Sequence, residues 1–203
     1  ELDMKYIDTG AMYRTMTLIA LRNKIDLEDE DAILDIAKKS KLEIDNKASD
    51  ENEYTFVRLN GEDITKEIRS SKVGAAVSIV SRLSGIRKYL VSLQRSLAYS
   101  GNSVLEGRDT GSVVCPDATL KVFLTASISE RVKRRRLQLE GKDQDMNASS
   151  VEKEIQNRDM IDSSRKDSPL IIPENGVEID TSGLTIKEVA NKIKELYYVR
   201  TKT

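Results

Sequence analysis

The sequence predicts an α/β protein: a mostly parallel sheet flanked by helices, carrying a small antiparallel β excursion. Three observations predict it. Apolar strand-like runs alternate with segments of helical period along most of the chain. Residues 41–66 break that alternation with two-residue periodicity around Asn60-Gly61, a strong hairpin signal. Three S/T-x-x-E patterns, Ser127 with Glu130, Ser149 with Glu152 and Thr185 with Glu188, announce helix starts in the second half.

Taken in order, "MKYID" reads as a strand end. Ala11, Met12, Met16, Ile19 and Ala20 then recur at helical spacing through "AMYRTMTLIALR". "LEDEDAILDIAKKS" is a second helix, acidic at its start and basic at its end, as the helix dipole favours. "KLEID" and "YTFVRLNGEDITKEI" form the antiparallel excursion. "SKVGAAVSIVSRL" and "GIRKYLVSLQRSLA" are helices separated near Ser84-Gly85. "SVLEG" is a short strand, and "ATLKVFLTA" has the continuous apolar character of a strand buried inside a parallel sheet. "ISERVKRRRLQLE", "SVEKEIQNRDMIDSSR" and "LTIKEVANKIKELYY" are the capped helices, with "GVEID" a strand between the last two. "GKDQDMNAS" is the best candidate for a mobile loop.

The composition excludes several classes of function. The chain's 203 residues carry 33 basic and 34 acidic side chains, a net charge of −1, so no global field draws it to nucleic acid. There is no histidine, which removes Ser-His-Asp and Cys-His catalysis and histidine-ligated zinc. The single cysteine, Cys115, excludes an intramolecular disulfide and a cysteine-rich metal site, and it reads as a packed thiol rather than a nucleophile. No protein-ligated metal site is expected. No apolar run reaches membrane-spanning length and the start has no signal-peptide form; a cytoplasmic location, with no membrane partner, is the simplest reading.

Asp-Thr-Gly occurs twice, at residues 8–10 and 109–111, the textual mark of a bilobal aspartic protease. The neighbours argue against that chemistry. The first triplet runs into a long amphipathic helix, and the flanks "AMYR" and "SVVC" show no kinship. Arg108 directly precedes Asp109, and a cation there opposes the proton sharing such a dyad needs. Gly10 and Gly107 read as relief of backbone crowding. Asp8 serves either to form a turn or to polarise Thr9 or a metal-bound water.

Arginines stand where elements are expected to end. Arg14 lies one turn into the first helix, Arg87 opens another, and Arg108 follows the "VLEG" strand, where ligands of open parallel sheets bind. Arg131, Arg134, Arg135 and Arg136 crowd one helix, and Arg158, Asp162 and Arg165 share a face of the next. Each set has a plain alternative. Surface arginines usually form weak solvated ion pairs, and "KRRR" could be a short nucleic-acid patch. The functional alternative is a polyphosphate site, because guanidinium forks match phosphate oxygens and phosphoryl transfer needs charge stabilisation more than acid-base residues.

The stretches "YIDTGAMYR", "VSRLSGIRKYLVSLQR", "LEGRDTGSVVCPDATLKVFLTAS", "ERVKRRRLQL" and "RDMIDSSRKDSPL" together resemble bacterial cytidylate kinase, a nucleoside monophosphate kinase. They come in the family's order and cover nearly the whole chain. The resemblance implies a P-loop-type fold, with residues 41–66 as the enlarged monophosphate-binding insert. It implies ATP and CMP or dCMP as substrates, Mg²⁺ as cofactor, a monomer, and no nucleic-acid partner. It divides the chain into a core start at 1–40, the monophosphate-binding insert and helices at 41–100, and core strands at 101–128. The lid and its flanking helices then take 129–165, and a C-terminal strand and helix 166–203. Uridylate or adenylate specificity is the neighbouring alternative.

Carried onto this sequence, the resemblance has Thr9 and Arg14 hold the monophosphate. Ser81 and Arg87 lie over the nucleoside, and Asp109 beside Arg87 recognises cytosine, whose exocyclic amine suits a carboxylate and whose carbonyl suits a guanidinium. Arg108 binds the acceptor phosphate. Arg158 and Asp162 contact the ribose hydroxyls, and Arg165 reaches the phosphate or base. Arg131, Arg134 and Arg135 belong to the lid that closes on ATP.

Such a kinase needs a phosphate loop of the form G-x-x-x-x-G-K-[ST] after its first strand. The resemblance places it just upstream of "YIDTGAMYR", where only "ELDMK" stands, read as the end of the helix that follows the loop. No GK[ST] occurs, since Gly141-Lys142 in "EGKD" has the wrong context. The expectation is therefore a preceding segment of about 20–25 residues, which would also supply a central strand and without which the chain is inactive. The alternative is a truncated, catalytically dead nucleotide-binding module.

Overall fold

A computed structural model describes residues 2–48, 53–139 and 147–202, with the backbone alone for 46–48, 53 and 54. The chain divides into two compact units, Glu1–Val114 and Cys115–Thr203. Among the described residues no helix is long and apolar enough to cross a membrane.

In the first unit, strand β1 (Lys5–Asp8) pairs in parallel with β5 (Ser103–Glu106), Asp8 lying opposite Glu106. Residues 2–4 form neither helix nor strand, so "ELDMK" is not a helix end: its last residue already belongs to β1. Helix α1 (Thr9–Arg22) follows β1 without a linker, because the Asp8 carboxylate accepts the Ala11 N–H at 2.9 Å and caps the new helix. Asp8 thus has a turn-forming role.

The apolar stripe of α1 was legible, but the helix is buried nearly all round, Tyr13, Thr15, Thr17 and Leu18 included. The two threonines tolerate this because their hydroxyls donate to the carbonyls one turn back, Ala11 at 2.9 Å and Tyr13 at 3.0 Å. Around α1 gather Ile33, Leu34 and Ala37 of α2 (Glu30–Lys39), Val73, Val77 and Val80 of α3 (Ser71–Val80), and Ile86 and Leu90 of α4 (Ser84–Ala98). The break between α3 and α4 falls at 81–83, slightly before the expected Ser84-Gly85.

The antiparallel excursion is present as β2 (Leu42–Ala48), β3 (Glu53–Leu59) and β4 (Glu62–Asp63). Its tight turn has both central residues left-handed, Asn60 at φ 53° and Gly61 at φ 84°, the hairpin geometry that the Asn-Gly pair favours. Val57, Leu59 and Ile64 turn into the α1 core. A 3-10 turn (Glu67–Arg69) leads on to α3. After β5, a π-helical turn (Thr110–Val114) closes on the carbonyl of Asp109, which accepts from Val113 N at 2.9 Å and Val114 N at 3.1 Å.

In the second unit β6 (Val122–Thr125) pairs in parallel with β7 (Val177–Asp180). Helices α5 (Ile128–Leu139), α6 (Ala148–Ser164) and α7 (Ile186–Thr201) complete it. Among the described residues the parallel strands pair two by two, β1 with β5 in the first unit and β6 with β7 in the second. The buried-strand expectation for β6 does not hold, since Leu124 is 52% exposed. Among the described residues β6 pairs with β7 alone, and a two-stranded ribbon cannot enclose its own strands. Cys115 is buried, as a packing thiol should be.

The capping patterns resolve individually. Thr185 and Glu188 form the full reciprocal box at the start of α7. Ser127 accepts from Glu130 N at 3.3 Å, half of a box. The Ser149 pattern is superseded: Asn147 caps α6, its side chain accepting from Ser150 N at 2.8 Å, and Ser149 lies inside the helix. Of the candidate mobile loop, residues 141–146 lie outside the described residues and 147–149 belong to this cap and first turn.

Candidate functional site

At the carboxyl ends of β1 and β5 the first unit gathers the residues of both Asp-Thr-Gly triplets. Thr9, 2% exposed, donates its hydroxyl to the Glu106 carbonyl at 2.6 Å, tying the start of α1 to the end of β5. Gly107 permits this approach, because a Cβ there would stand 2.2 Å from Thr9 Oγ1. At Gly10 a Cβ would lie 3.1 Å from the Asp8 carboxylate, so both glycines do relieve crowding.

The second triplet supplies Asp109. It meets Arg87 of α4 at 2.5 Å, each side chain 3% exposed. The same guanidinium donates to the Ser81 carbonyl at 2.8 Å and lies 5.2 Å from the centre of the Tyr13 ring. Ser81, Arg87 and Asp109 are thus brought together, Ser81 through its backbone; its hydroxyl donates to Ser78 O at 3.3 Å instead. Arg87 Nε is buried without a hydrogen-bond partner among the described residues. Arg95 holds the other end of the π-helical turn through Val113 O at 2.6 Å and Val114 O at 3.1 Å.

Arg14 is half-buried, with Nη1 3.5 Å from the Ile68 carbonyl and close to Gly74. Arg108 stands exposed directly before Asp109. Three participants were missed in the sequence. Arg69 approaches Asp8 at 3.5 Å, Tyr13 faces Arg87, and Tyr6 donates to the Glu106 carboxylate. Burial first, then that carboxylate, pushes the Tyr6 phenol well above its ordinary range. None of these pairings has a local spacing; Tyr6 and Tyr13 lie inside "YIDTGAMYR", whereas Arg69 lies in no quoted motif.

The second unit carries the remaining candidate arginines. On α6, Asp162 approaches Arg165 at 3.4 Å and Arg158 at 3.9 Å. Asp162 and Arg165 have side chains only 5% exposed, so this is no solvated ladder, although Arg158 is 45% exposed. Burying such charges is costly unless other groups hold them. The Asp162 carbonyl also accepts from Leu170 N at 2.8 Å.

On α5 the three candidate lid arginines are engaged to different degrees. Arg131 forms a two-pronged pair with Asp159 at 2.5 and 2.8 Å, which pushes its guanidinium further above the ordinary range. Arg134 reaches Glu130 at 2.8 Å and both Thr181 Oγ1 and Thr181 O, at 2.9 and 2.6 Å. Arg135 makes a single 3.4 Å contact with Glu154. The pairings 131 with 159 and 135 with 154 run in opposite senses, so α5 and α6 lie antiparallel.

A family model described as cytidylate kinase matches residues 1–199. The chain belongs to the cytidylate kinase family. A cytidylate kinase of Caldanaerobacter subterraneus subsp. tengcongensis is 45% identical over 201 residues, covering 99% of this chain and 86% of the relative. One from Geobacillus sp. (strain WCH70) is 43% identical over 196 residues, 97% and 86% respectively. One from Bacillus velezensis is 44% identical over 191 residues, 94% and 84%. The cytidylate kinase resemblance read from "YIDTGAMYR" and its companion stretches therefore holds over the chain, and with it a nucleoside monophosphate kinase fold of helices, parallel strands and an antiparallel insert.

Proposed function

We propose that the protein transfers the γ-phosphoryl group of ATP to CMP or dCMP, giving ADP and CDP or dCDP. The observation that carries this reading is the buried Arg87–Asp109 pair with its unpartnered Arg87 Nε. A fixed donor and a fixed acceptor side by side suit the carbonyl and exocyclic amine of cytosine. Family membership supports the reaction class.

Thr9 and Arg14 would hold the monophosphate, with Ser81 beside Arg87 at the nucleoside and Arg108, exposed at its strand end, on the acceptor phosphate. In the second unit Arg158 and Asp162 would address the ribose hydroxyls and Arg165 the phosphate or base. Arg131, Arg134 and Arg135 would stabilise charge on the phosphates of ATP. No strong base is required, since the acceptor phosphate attacks in line and catalysis rests on positioning and charge stabilisation.

Among the described residues no group of three or more His, Cys, Asp or Glu is gathered to hold a metal. A Mg²⁺ ion would arrive on the ATP phosphates with its own waters, and Asp8 is the carboxylate that would meet one of those waters. Bound in that way, the ion would neutralise charge on the transferring phosphates. The reading takes the enzyme as a cytoplasmic monomer.

A coupled assay with CMP, dCMP, UMP and AMP on the protein as its gene encodes it tests the reading. Turnover with the cytosine nucleotides is expected, and Asp109→Ala should weaken CMP far more than ATP. Preference for UMP or AMP, or equal losses for both substrates, would overturn the cytosine assignment. No turnover with any of the four would favour a binding module.

A further inference from the structure

Helix α4 presents Arg87, yet it starts without a side-chain cap of its own: Leu83 stands at the capping position. The first N–H groups of a helix have no partner within it and carry its positive end. Here they meet a carboxylate from another helix. Glu30, the first residue of α2, accepts through Oε2 from Gly85 N at 2.5 Å and from Ile86 N at 3.3 Å. The glycine is needed for this contact, because a Cβ on residue 85 would lie 2.6 Å from Glu30 Oε1 and 2.7 Å from its carboxyl carbon. An ion pair between Glu28 and Arg82 fastens the same turn.

Arg87 follows Ile86 directly. Its guanidinium bridges the Ser81 carbonyl, before the turn, and Asp109, in another element. Where α4 begins therefore decides whether Arg87 meets Asp109 in line, and Glu30 is the carboxylate that bonds the first N–H groups of that helix directly. We propose that Glu30 is a positioning residue for recognition of the nucleotide base: its carboxylate clamps the start of α4 and so sets Arg87 against Asp109. This rests on the assignment of Arg87 and Asp109 to the base.

The test uses the intact protein, CMP binding by calorimetry, and KM for CMP and ATP measured separately. Glu30→Ala and Gly85→Ala should each raise KM for CMP about five- to tenfold, the scale of a lost helix cap, with KM for ATP within about twofold. Glu30→Gln, which keeps an acceptor oxygen, should recover most of the loss. In an Arg87→Ala background, Glu30→Ala should lower the melting temperature but add no further loss of CMP affinity. A merely structural role would raise both KM values together, or add its loss in that background, and either result overturns the proposal. So does an unchanged KM for CMP in both Glu30→Ala and Gly85→Ala. If Arg87→Ala itself leaves CMP binding intact, the base assignment falls and the positioning role falls with it.

Discussion

Thr9 and Gly107 occupy one space: the threonine hydroxyl sits where a side chain on residue 107 would begin, 2.2 Å from the Cβ position. Gly107→Ala should therefore cost about 1–3 kcal/mol, the scale of forced overpacking. Thr9→Ala should cost less in that background than in the wild type, because it removes the nearer of two clashing atoms, Thr110 Cγ2 at 2.8 Å being the other. Urea midpoints for the four corners of the cycle measure this, and additive costs would show that the two residues do not compete.

The Arg87–Asp109 pair makes a second prediction. Asp109→Ala leaves a buried guanidinium without its counter-charge and should destabilise by about 3–5 kcal/mol. Replacing both residues, Arg87→Met with Asp109→Leu, should recover most of that stability while CMP binding stays lost. Chemical denaturation and calorimetric titration read the two effects separately.

Tyr6 gives a prediction in pH. Its folded pKa lies above the ordinary tyrosine value of 10.0, so the folded state holds the proton more tightly than the unfolded chain. The stability this contributes is full below about pH 10 and disappears as pH rises through the raised value. A spectrophotometric titration should show a late-ionising component that Tyr6→Phe reduces by one tyrosine.

The start of α6 separates two capping residues. Asn147→Ala should cost about 1 kcal/mol, whereas Ser149→Ala, inside the helix, should stay within about 0.5 kcal/mol. Thermal melts of both variants distinguish the observed cap from the one the S-x-x-E pattern suggests.

The elements were legible wherever period and punctuation agreed. Asn60-Gly61 marked a real hairpin, the stripe from Ala11 to Ala20 a real helix, and Thr185 with Glu188 a real box. The full burial of α1 was not legible, because Thr15 and Thr17 read as polar until their hydroxyls are seen bonded within their own helix. The exposure of Leu124 was not legible either: an apolar run says that a strand is fit for burial, and its neighbours decide whether it is buried. At the candidate site the motifs pointed to Arg87 and Asp109. They were silent about Glu30 with Gly85, Arg69 with Asp8 and Arg131 with Asp159, which are joined by chain geometry rather than by spacing.

The two units differ in what holds them. The first surrounds α1 with aliphatic side chains, while α5 and α7 of the second bury no described residue fully and α5 meets α6 through charged pairs. Apolar exposure dominates the heat capacity of unfolding, and ion pairs contribute little to it. A scanning calorimeter should therefore assign most of the heat-capacity increment to the first unit. Added salt should soften the second unit first, so that its amides exchange with solvent through openings smaller than global unfolding.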